Sequence, residues 1–173
     1  MKQAIAGVAA PEQSEVTVMT VWPSVSAMSL LGLPLGEMLG RLYNIRAGFY
    51  IFTVGNLICL LSIPVALVLY FKRIGPFVGQ RYRLTNRRVV VERGLSHVEE
   101  KSVQLDHFDR IELRVRPGQE WYDSGDLVFM DGSVEKFLLE GVSRPEAFRM
   151  VCEKARQGYV GVKEALAREP QFT

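Results

Sequence analysis

The sequence predicts a membrane-anchored protein of the α+β class, with one transmembrane helix ahead of a small antiparallel β-barrel that a C-terminal helix caps. Three observations carry this prediction. Ala47–Phe71 is an uncharged run of 25 residues. The apolar period changes to two from Arg81 onward, and a helical period returns after Ser143. With one span, a chain of 173 residues has room for a single small domain.

The N-terminal part is predicted to consist of two segments. Residues 1–23 are expected to form a flexible tail, within which Glu15–Trp22 alternates as a short strand does. Residues 24–44 combine leucines with a proline and two charges, which favours an interfacial or re-entrant amphipathic segment over a second span. With one span the N-terminus lies outside the cytoplasm, and with two it returns. Glycines at one-turn spacing share a helical face of this segment: Gly32, Gly36 and Gly40.

The uncharged run predicts the membrane anchor. As a helix, Ala47–Phe71 would be about 37 Å long, against roughly 30 Å of hydrocarbon in a bilayer. Pro64 is expected to kink it. Small residues on one face, beside a polar asparagine, predict contact with another helix in this chain, in a partner or in a second copy. The alternative is that small residues are simply common in membrane helices. The residues of this contact are Gly55, Asn56, Cys59 and Ser62, continued by Ala66.

The segment 78–161 is predicted to fold as the domain, after a short hinge at Gly75–Gly79. Its alternation predicts about six short strands in meander order, with Asp131-Gly132 as a two-residue hairpin turn. Ser143–Glu146 reads as a capping box that opens an amphipathic helix. That helix is expected to stop at Gly161, which leaves 162–173 as a C-terminal tail.

Four segments of the domain carry a family pattern. They are Arg81–Val91 (RYRLTNRRVVV), Gly94-Leu95, Val103–Ile111 (V-x-L-D-x-F-D-x-I) and Leu139–Glu146 (L-x-G-V…P-E). Together they resemble the bacterial pleckstrin-homology-like membrane proteins, known broadly as PH domain-containing proteins, over roughly residues 45–160. The resemblance implies a PH-like barrel held at the bacterial cytoplasmic membrane, and no shared enzymatic activity.

Basic residues that follow the uncharged run form the first candidate site. Few bases precede that run, so the positive-inside rule places its C-terminal side in the cytoplasm. Guanidinium groups suit phosphate oxygens, and the resemblance implies contact between these bases and anionic lipid headgroups. The alternative is that they only set the topology and solvate one strand face. They are Lys72, Arg73, Arg81, Arg83, Arg87 and Arg88.

Two adjacent aromatic residues, Trp121 and Tyr122, form the second candidate site. They lie in the loop Pro117–Asp126, which is otherwise rich in glycine and acidic residues. Large aromatic side chains are enriched as anchors in protein interfaces. They are therefore expected either to plug an open end of the barrel or to contact a partner or the membrane.

The sequence gives little support to catalysis. A loose cluster, His97 with Asp106, His107 and Asp109, lacks the spacing of a metal site, and no nucleotide-binding or nucleophile motif is found. We therefore expect a non-catalytic protein without a cofactor, whose PH-like domain binds a protein partner or the anionic membrane surface. The alternative is an accessory or assembly subunit of a larger membrane complex. The expected partners are membrane lipids and a protein or second copy bound through the membrane helix, and not nucleic acid.

Overall fold

The computed structural model describes residues 15–28, 34–45, 47–49, 52–74, 79–94 and 96–168. Its first half contains β1 (Thr17–Val21), a 3₁₀ turn (Val25–Ala27), α1 (Leu35–Tyr43), β2 (Gly48–Phe49), β3 (Phe52–Thr53), α2 (Val54–Leu61) and α3 (Ile63–Ile74). Its second half contains β4 (Gln80–Thr85), β5 (Arg88–Arg93), β6 (Val98–Gln104), β7 (Arg110–Arg114), a second 3₁₀ turn (Glu120–Tyr122), β8 (Ser124–Asp131), β9 (Val134–Ser143) and α4 (Pro145–Arg168). The predicted hinge at Gly75–Gly79 lies outside the described residues, except for Gly79.

Two antiparallel sheets share one hydrophobic core. The first has the strand order β1-β4-β5-β6 and the second β7-β8-β9. Alternation sends Tyr82 and Leu84 of β4 inward, toward Phe129 of β8, and α4 adds Phe148 to the same core. The predicted antiparallel PH-like fold with a C-terminal helix is therefore confirmed. The predicted two-residue hairpin between β8 and β9 is confirmed, but its turn residues are Gly132-Ser133 and not Asp131-Gly132, since Asp131 pairs with Val134.

Strand β1 confirms the short strand predicted within Glu15–Trp22 and shortens the flexible tail predicted over residues 1–23. Residues 1–14 lie outside the described part, but Thr17–Val21 pairs antiparallel with β4, and Val21 lies opposite Tyr82 in the core. Apolar alternation in this stretch supplies an inward-facing side chain, which a tail could not bury. Because β1 and β4 are neighbours, the helices α1, α2 and α3 form an insertion between two adjacent strands of one sheet.

The single helix predicted over Ala47–Phe71 is not formed, although the bend expected at Pro64 is present. The short strands β2 and β3 occupy its first turns, Thr53 caps α2, and the chain bends by 56° between α2 and α3. Pro64 lies at the start of α3 and has no N–H to offer the Leu60 carbonyl, which explains the break at Ser62. In the described ranges no single helix is long and apolar enough to cross a membrane, whereas α2 and α3 pass that test of length and composition together.

The C-terminal helix also differs from its predicted bounds. Ser143 is the last residue of β9, where it pairs with Ser124, so the predicted capping box does not start the helix. α4 begins at a proline, which suits a first helical position because its missing N–H would have no partner there. It continues through Gly161 into the predicted tail, where Lys163 Nζ lies 2.6 Å from Asp106 Oδ2.

Candidate functional site

The basic strand β4 is neutralised in part by a buried carboxylate. Arg81 and Arg83 point to the same face, and Glu92 lies opposite Arg81 on β5. Arg81 Nε is 2.6 Å from Glu92 Oε2, and Arg83 Nε is 2.6 Å from Glu92 Oε1. Only 2% of Glu92 is exposed. Two of the predicted phosphate-binding cations are therefore held by one carboxylate of the same sheet.

A third predicted lipid-binding residue, Arg88, is held between two carboxylates. Its Nε lies 2.8 Å from Glu15 and its Nη1 lies 2.8 Å from Glu99. The hydrogen bond from Arg88 lowers the pKa of Glu15, and the reciprocal bond raises the pKa of Arg88. Glu15 directly precedes β1, so this ion pair also fastens the first strand to the sheet.

Of the three remaining bases of the predicted cluster, the structure describes the side chain of Arg87. Within the described segments, Arg87 has no carboxylate at ion-pair distance. Lys72 and Arg73 lie in the last turns of α3, and their side chains fall outside the described residues. Contact of the six bases with anionic lipid headgroups stays a prediction, although Arg81, Arg83 and Arg88 already pair with carboxylates of the chain.

A buried polar network, which the sequence did not indicate, attaches α1 to the sandwich. Arg116 Nη1 lies 3.0 Å from Glu37 of α1, and Arg116 Nε lies 2.7 Å from Asp126 of β8. Asp126 Oδ1 also accepts hydrogen bonds of 2.7 Å from Gln119 Nε2 and from the Gly141 backbone N–H. Both carboxylates are buried. Their charges are compensated on site, as buried charges must be to avoid a large desolvation cost.

Two of the three glycines predicted to share a helical face, Gly36 and Gly40, pack against other parts of the chain, and Gly32 lies outside the described residues. A Cβ at Gly40 would overlap the Gly118 carbonyl oxygen and lie 2.9 Å from the Tyr122 ring. A Cβ at Gly36 would likewise overlap the Val25 carbonyl. Glycine is required at these positions because the backbones touch, and their contact lies within the chain.

The aromatic pair in the loop before β8 lies between the sandwich and α1. The rings of Trp121 and Tyr43 make an edge-to-face contact, with centroids 5.5 Å apart. Tyr122 packs beside Gly40, and its burial raises its pKa to about 12. Trp121 remains 44% exposed. Both aromatics thus help to hold α1, and a partner contact through the outer face of Trp121 stays a prediction.

The small-residue stripe on α2 contacts α1 at two of its residues. Gly55 N donates to Ile45 O at 3.1 Å, and a Cβ on Gly55 would overlap the Tyr43 carbonyl. The Ser62 hydroxyl hydrogen-bonds the Tyr43 hydroxyl. Cys59, on the same face, is half-buried. Gly55 and Ser62 therefore make a contact within the chain, and a contact of this face with a partner or a second copy stays a prediction.

Asn56, the polar residue predicted beside that stripe, is exposed. Its backbone N–H donates to the Thr53 hydroxyl at 3.2 Å as part of the cap of α2. Its side chain lines a cleft between α1, α2 and the loop of Trp121. A role of Asn56 in binding a partner stays a prediction.

The bent pair α2–α3 exposes a large apolar surface. Its exposed side chains, each between 41% and 81% accessible, are Val54, Leu57, Leu60, Leu61, Ile63, Val65, Leu67, Val68, Tyr70 and Phe71. Only one side of α3 faces the domain: Leu69 is fully buried, and α3 contacts the first 3₁₀ turn. Soluble monomers rarely expose contiguous apolar patches of more than a few hundred Å², so this surface is a candidate for contact with a membrane or a partner, which stays a prediction.

The two aspartates of the loose histidine and aspartate cluster, Asp106 and Asp109, make hydrogen bonds within the fold. Lys163 lowers the pKa of Asp106 by a direct hydrogen bond, and Asp109 Oδ2 accepts from Gly132 N at 3.1 Å. Across the segments that the structure describes, no three His, Cys, Asp or Glu side chains converge as a metal-binding group. That the protein is non-catalytic stays a prediction.

The comparison with known families agrees with this architecture. A family profile described as "Bacterial PH domain" matches residues 30–156, which is well over half of the chain. No curated protein matches the sequence significantly. The match begins after β1 and before α1, and it ends inside α4, so it includes the inserted helices together with strands β4 to β9. The chain belongs to the bacterial PH domain family.

Proposed function

We propose that this protein is a non-catalytic binding module attached to the cytoplasmic face of the bacterial inner membrane. The bent pair α2–α3 inserts its apolar surface into the bilayer, and the PH-like sandwich presents a surface to a protein partner. The observation that carries the proposal is the exposure of ten large apolar side chains on α2 and α3. Burying them in hydrocarbon gains about 25 cal/mol per Å² of apolar surface.

The position of the insertion favours entry and exit on the same side of the membrane. The chain leaves the sheet after β1 and returns to it at the neighbouring strand β4. Between them, α1 is fixed to the sandwich through Glu37 and Arg116. A single crossing would place the two ends of α2–α3 on opposite sides, yet both ends attach to one domain. We therefore favour a pair that lies within one leaflet over the transmembrane helix that the sequence predicted.

The lengths of the two helices agree with this arrangement. α2 has 8 residues and α3 has 12, which correspond to about 12 Å and 18 Å, whereas the hydrocarbon core is roughly 30 Å thick. Two further apolar side chains, Met38 and Leu42, are exposed on α1. Lys72 and Arg73 follow the apolar run directly, which favours the cytoplasmic face for the domain.

The ion pairs of β4 and β5 favour a protein partner over anionic lipid as the main ligand. Arg81, Arg83 and Arg88 already bind carboxylates of the chain. A phosphate would have to displace these partners before it gained the roughly 1 kcal/mol that each free base contributes near an anionic surface. The alternative function, an accessory subunit of a larger membrane complex, would use the apolar surface of α2–α3 for protein contact.

Membrane extraction tests the attachment. Replacing the two most exposed leucines, Leu60→Gln and Leu61→Gln, is expected to shift the full-length protein from the carbonate-resistant membrane fraction to the soluble fraction. The matched control is Val16→Gln with Val18→Gln, two exposed valines of the β1 region, which should leave the fraction unchanged. Equal behaviour of the two double variants would reject attachment through α2–α3. A stoichiometric large complex after mild detergent extraction would instead favour the accessory-subunit alternative.

Cysteine labelling tests the one-sided topology. In a Cys59→Ser background, Val18→Cys and Glu164→Cys place thiols near the two ends of the described chain. We expect a membrane-impermeant maleimide to label neither thiol in intact cells and both after lysis. Labelling of Val18→Cys alone in intact cells would show that the chain crosses the membrane and would refute the one-sided arrangement.

A further inference from the structure

A cleft of about 470 Å³ lies where α1, the start of α2 and the second 3₁₀ turn meet. The residues that define its chemistry are Tyr43, Asn44, Thr53, Asn56, Glu120 and Trp121. It is lined by two aromatic rings, one carboxylate and neutral polar groups. The arginine-rich strands β4 and β5 contribute no residue to its lining.

The cleft does not offer the donors that an anion requires. The start of a helix usually binds anions through its first free N–H groups. Here Val54 N donates to Ala47 O at 2.8 Å, Gly55 N donates to Ile45 O at 3.1 Å, and Asn56 N donates to the Thr53 hydroxyl at 3.2 Å. These donors are already used inside the chain, so the start of α2 has little capacity left for a phosphate.

The same cleft has what an ammonium cation requires. Glu120 is the charged residue of its lining, and its Oε2 accepts a long bond of 3.4 Å from the neutral Asn44 amide. Trp121 meets Tyr43 edge to face and stays 44% exposed, which leaves ring surface open toward the cleft. An ammonium group is attracted to the faces of Trp and Tyr and to a nearby carboxylate, most strongly where water is partly excluded.

We propose that this cleft binds an ammonium group, carried either by the ethanolamine headgroup of a phospholipid or by a free amine. The inference builds on the proposed function, because α2 begins at the cleft and its exposed Leu57 and Leu60 follow within two turns. If α2 lies in the bilayer, the cleft lies at the headgroup level, where Trp and Tyr are enriched. The partial positive charge at the start of α2 opposes a cation, so Glu120 and the aromatic rings must supply the attraction.

Tryptophan fluorescence tests the site in the full-length protein, held in an uncharged maltoside detergent. The variant Trp22→Phe removes the other of the chain's 2 tryptophans and makes Trp121 the only reporter. We expect a saturable change in its emission on titration with short-chain phosphatidylethanolamine, and none with the matching phosphatidylglycerol. Titration with ethanolamine itself identifies the source: a response at similar concentrations assigns a free amine, and a response to the lipid alone assigns the headgroup.

A pair of charge-matched variants gives the decisive comparison. Glu120→Gln is expected to weaken the response at least about tenfold, because the attraction of its carboxylate is lost. Glu112→Gln, at an exposed carboxylate of β7, should leave it unchanged. An equal response to phosphatidylglycerol, or equal affinities for the two variants, would overturn the proposal. Because titration in detergent does not require bilayer insertion, its failure is separable from a failure of the membrane-attachment test.

Discussion

Replacement of Glu92 tests whether the basic strands are a neutralised structural element or an open phosphate site. Glu92→Gln keeps the shape of the side chain but removes the charge that Arg81 and Arg83 share. Two half-buried guanidinium groups then lie close together without a counter-ion. The variant is therefore expected to lose both ion pairs and to gain a repulsion between the two arginines.

The structure sets the size of the effect. Breaking a buried ion pair by removing one partner costs about 3–5 kcal/mol. The side chain of Glu92 is 2% exposed, but those of Arg81 and Arg83 are 24% and 29% exposed, so water compensates part of the loss. We expect the free energy of unfolding to fall by about 3 kcal/mol, the lower end of that range. With a urea m-value of roughly 2 kcal/mol per M, the midpoint falls by roughly 1.5 M.

Urea unfolding of the full-length protein in maltoside micelles, followed by circular dichroism, measures this change. Glu112→Gln is the matched control, since it removes the same charge from a pair with Arg110 in which both side chains are about half exposed. Exposed pairs of this kind contribute about 0–1 kcal/mol. If Glu92→Gln shifts the midpoint no more than Glu112→Gln does, Glu92 does not hold the strand face together. Arg81 and Arg83 would then again be candidates for binding phosphate.

Two further predictions concern the attachment of the N-terminal elements. Gly40→Ala should lower the free energy of unfolding by about 1–3 kcal/mol, because its Cβ overlaps the Gly118 carbonyl. The control Gly158→Ala in α4, with open space around the new Cβ, should raise the free energy of unfolding by about 0.5–1 kcal/mol. Urea midpoints that move in the same direction for both variants would contradict the contact between Gly40 and Gly118. Glu15→Gln should destabilise the protein at pH 7, and its difference from wild type should shrink as the pH falls through the pKa of Glu15, which lies below its ordinary 4.5. A carboxylate whose pKa is lowered in the folded state loses its contribution to stability as the pH falls through that lowered pKa. A difference in urea midpoint that persists under strong acid would therefore exclude the Glu15–Arg88 pair as the cause of the destabilisation.

The sandwich could be predicted from the sequence because its signals are local. Alternation in β4 places Tyr82 and Leu84 inward, and Gly132 supplies the positive φ that a tight turn requires. Each of these patterns spans a few residues and is compatible with one local backbone structure. The family motifs lie on the same strands, which is why fold and family agree.

The attachment of the helices could not be predicted, because its partners are distant in the sequence. Glu37 looked like a charge that interrupts a membrane segment, but its partner Arg116 lies far along the chain. Gly40 suggested a helix packed in lipid, yet the backbone it contacts is that of Gly118. A charge or a small residue in an apolar segment indicates a close polar or backbone contact. The sequence alone does not indicate whether that contact is to lipid, to another chain or to the chain's own domain.

The folded domain includes β1, which lies well before residue 78. The predicted boundary at residue 78 assumed an anchor that ends before an independent barrel begins. In the structure, a chain that began there would lack β1, leaving the edge of β4 unpaired and the place of Val21 in the core empty. It would also lack Glu37, so that Arg116 would face Asp126 without its second carboxylate. The apolar helices are therefore part of the fold that they attach, and any movement of α2–α3 is coupled through α1 to the buried charges beneath it.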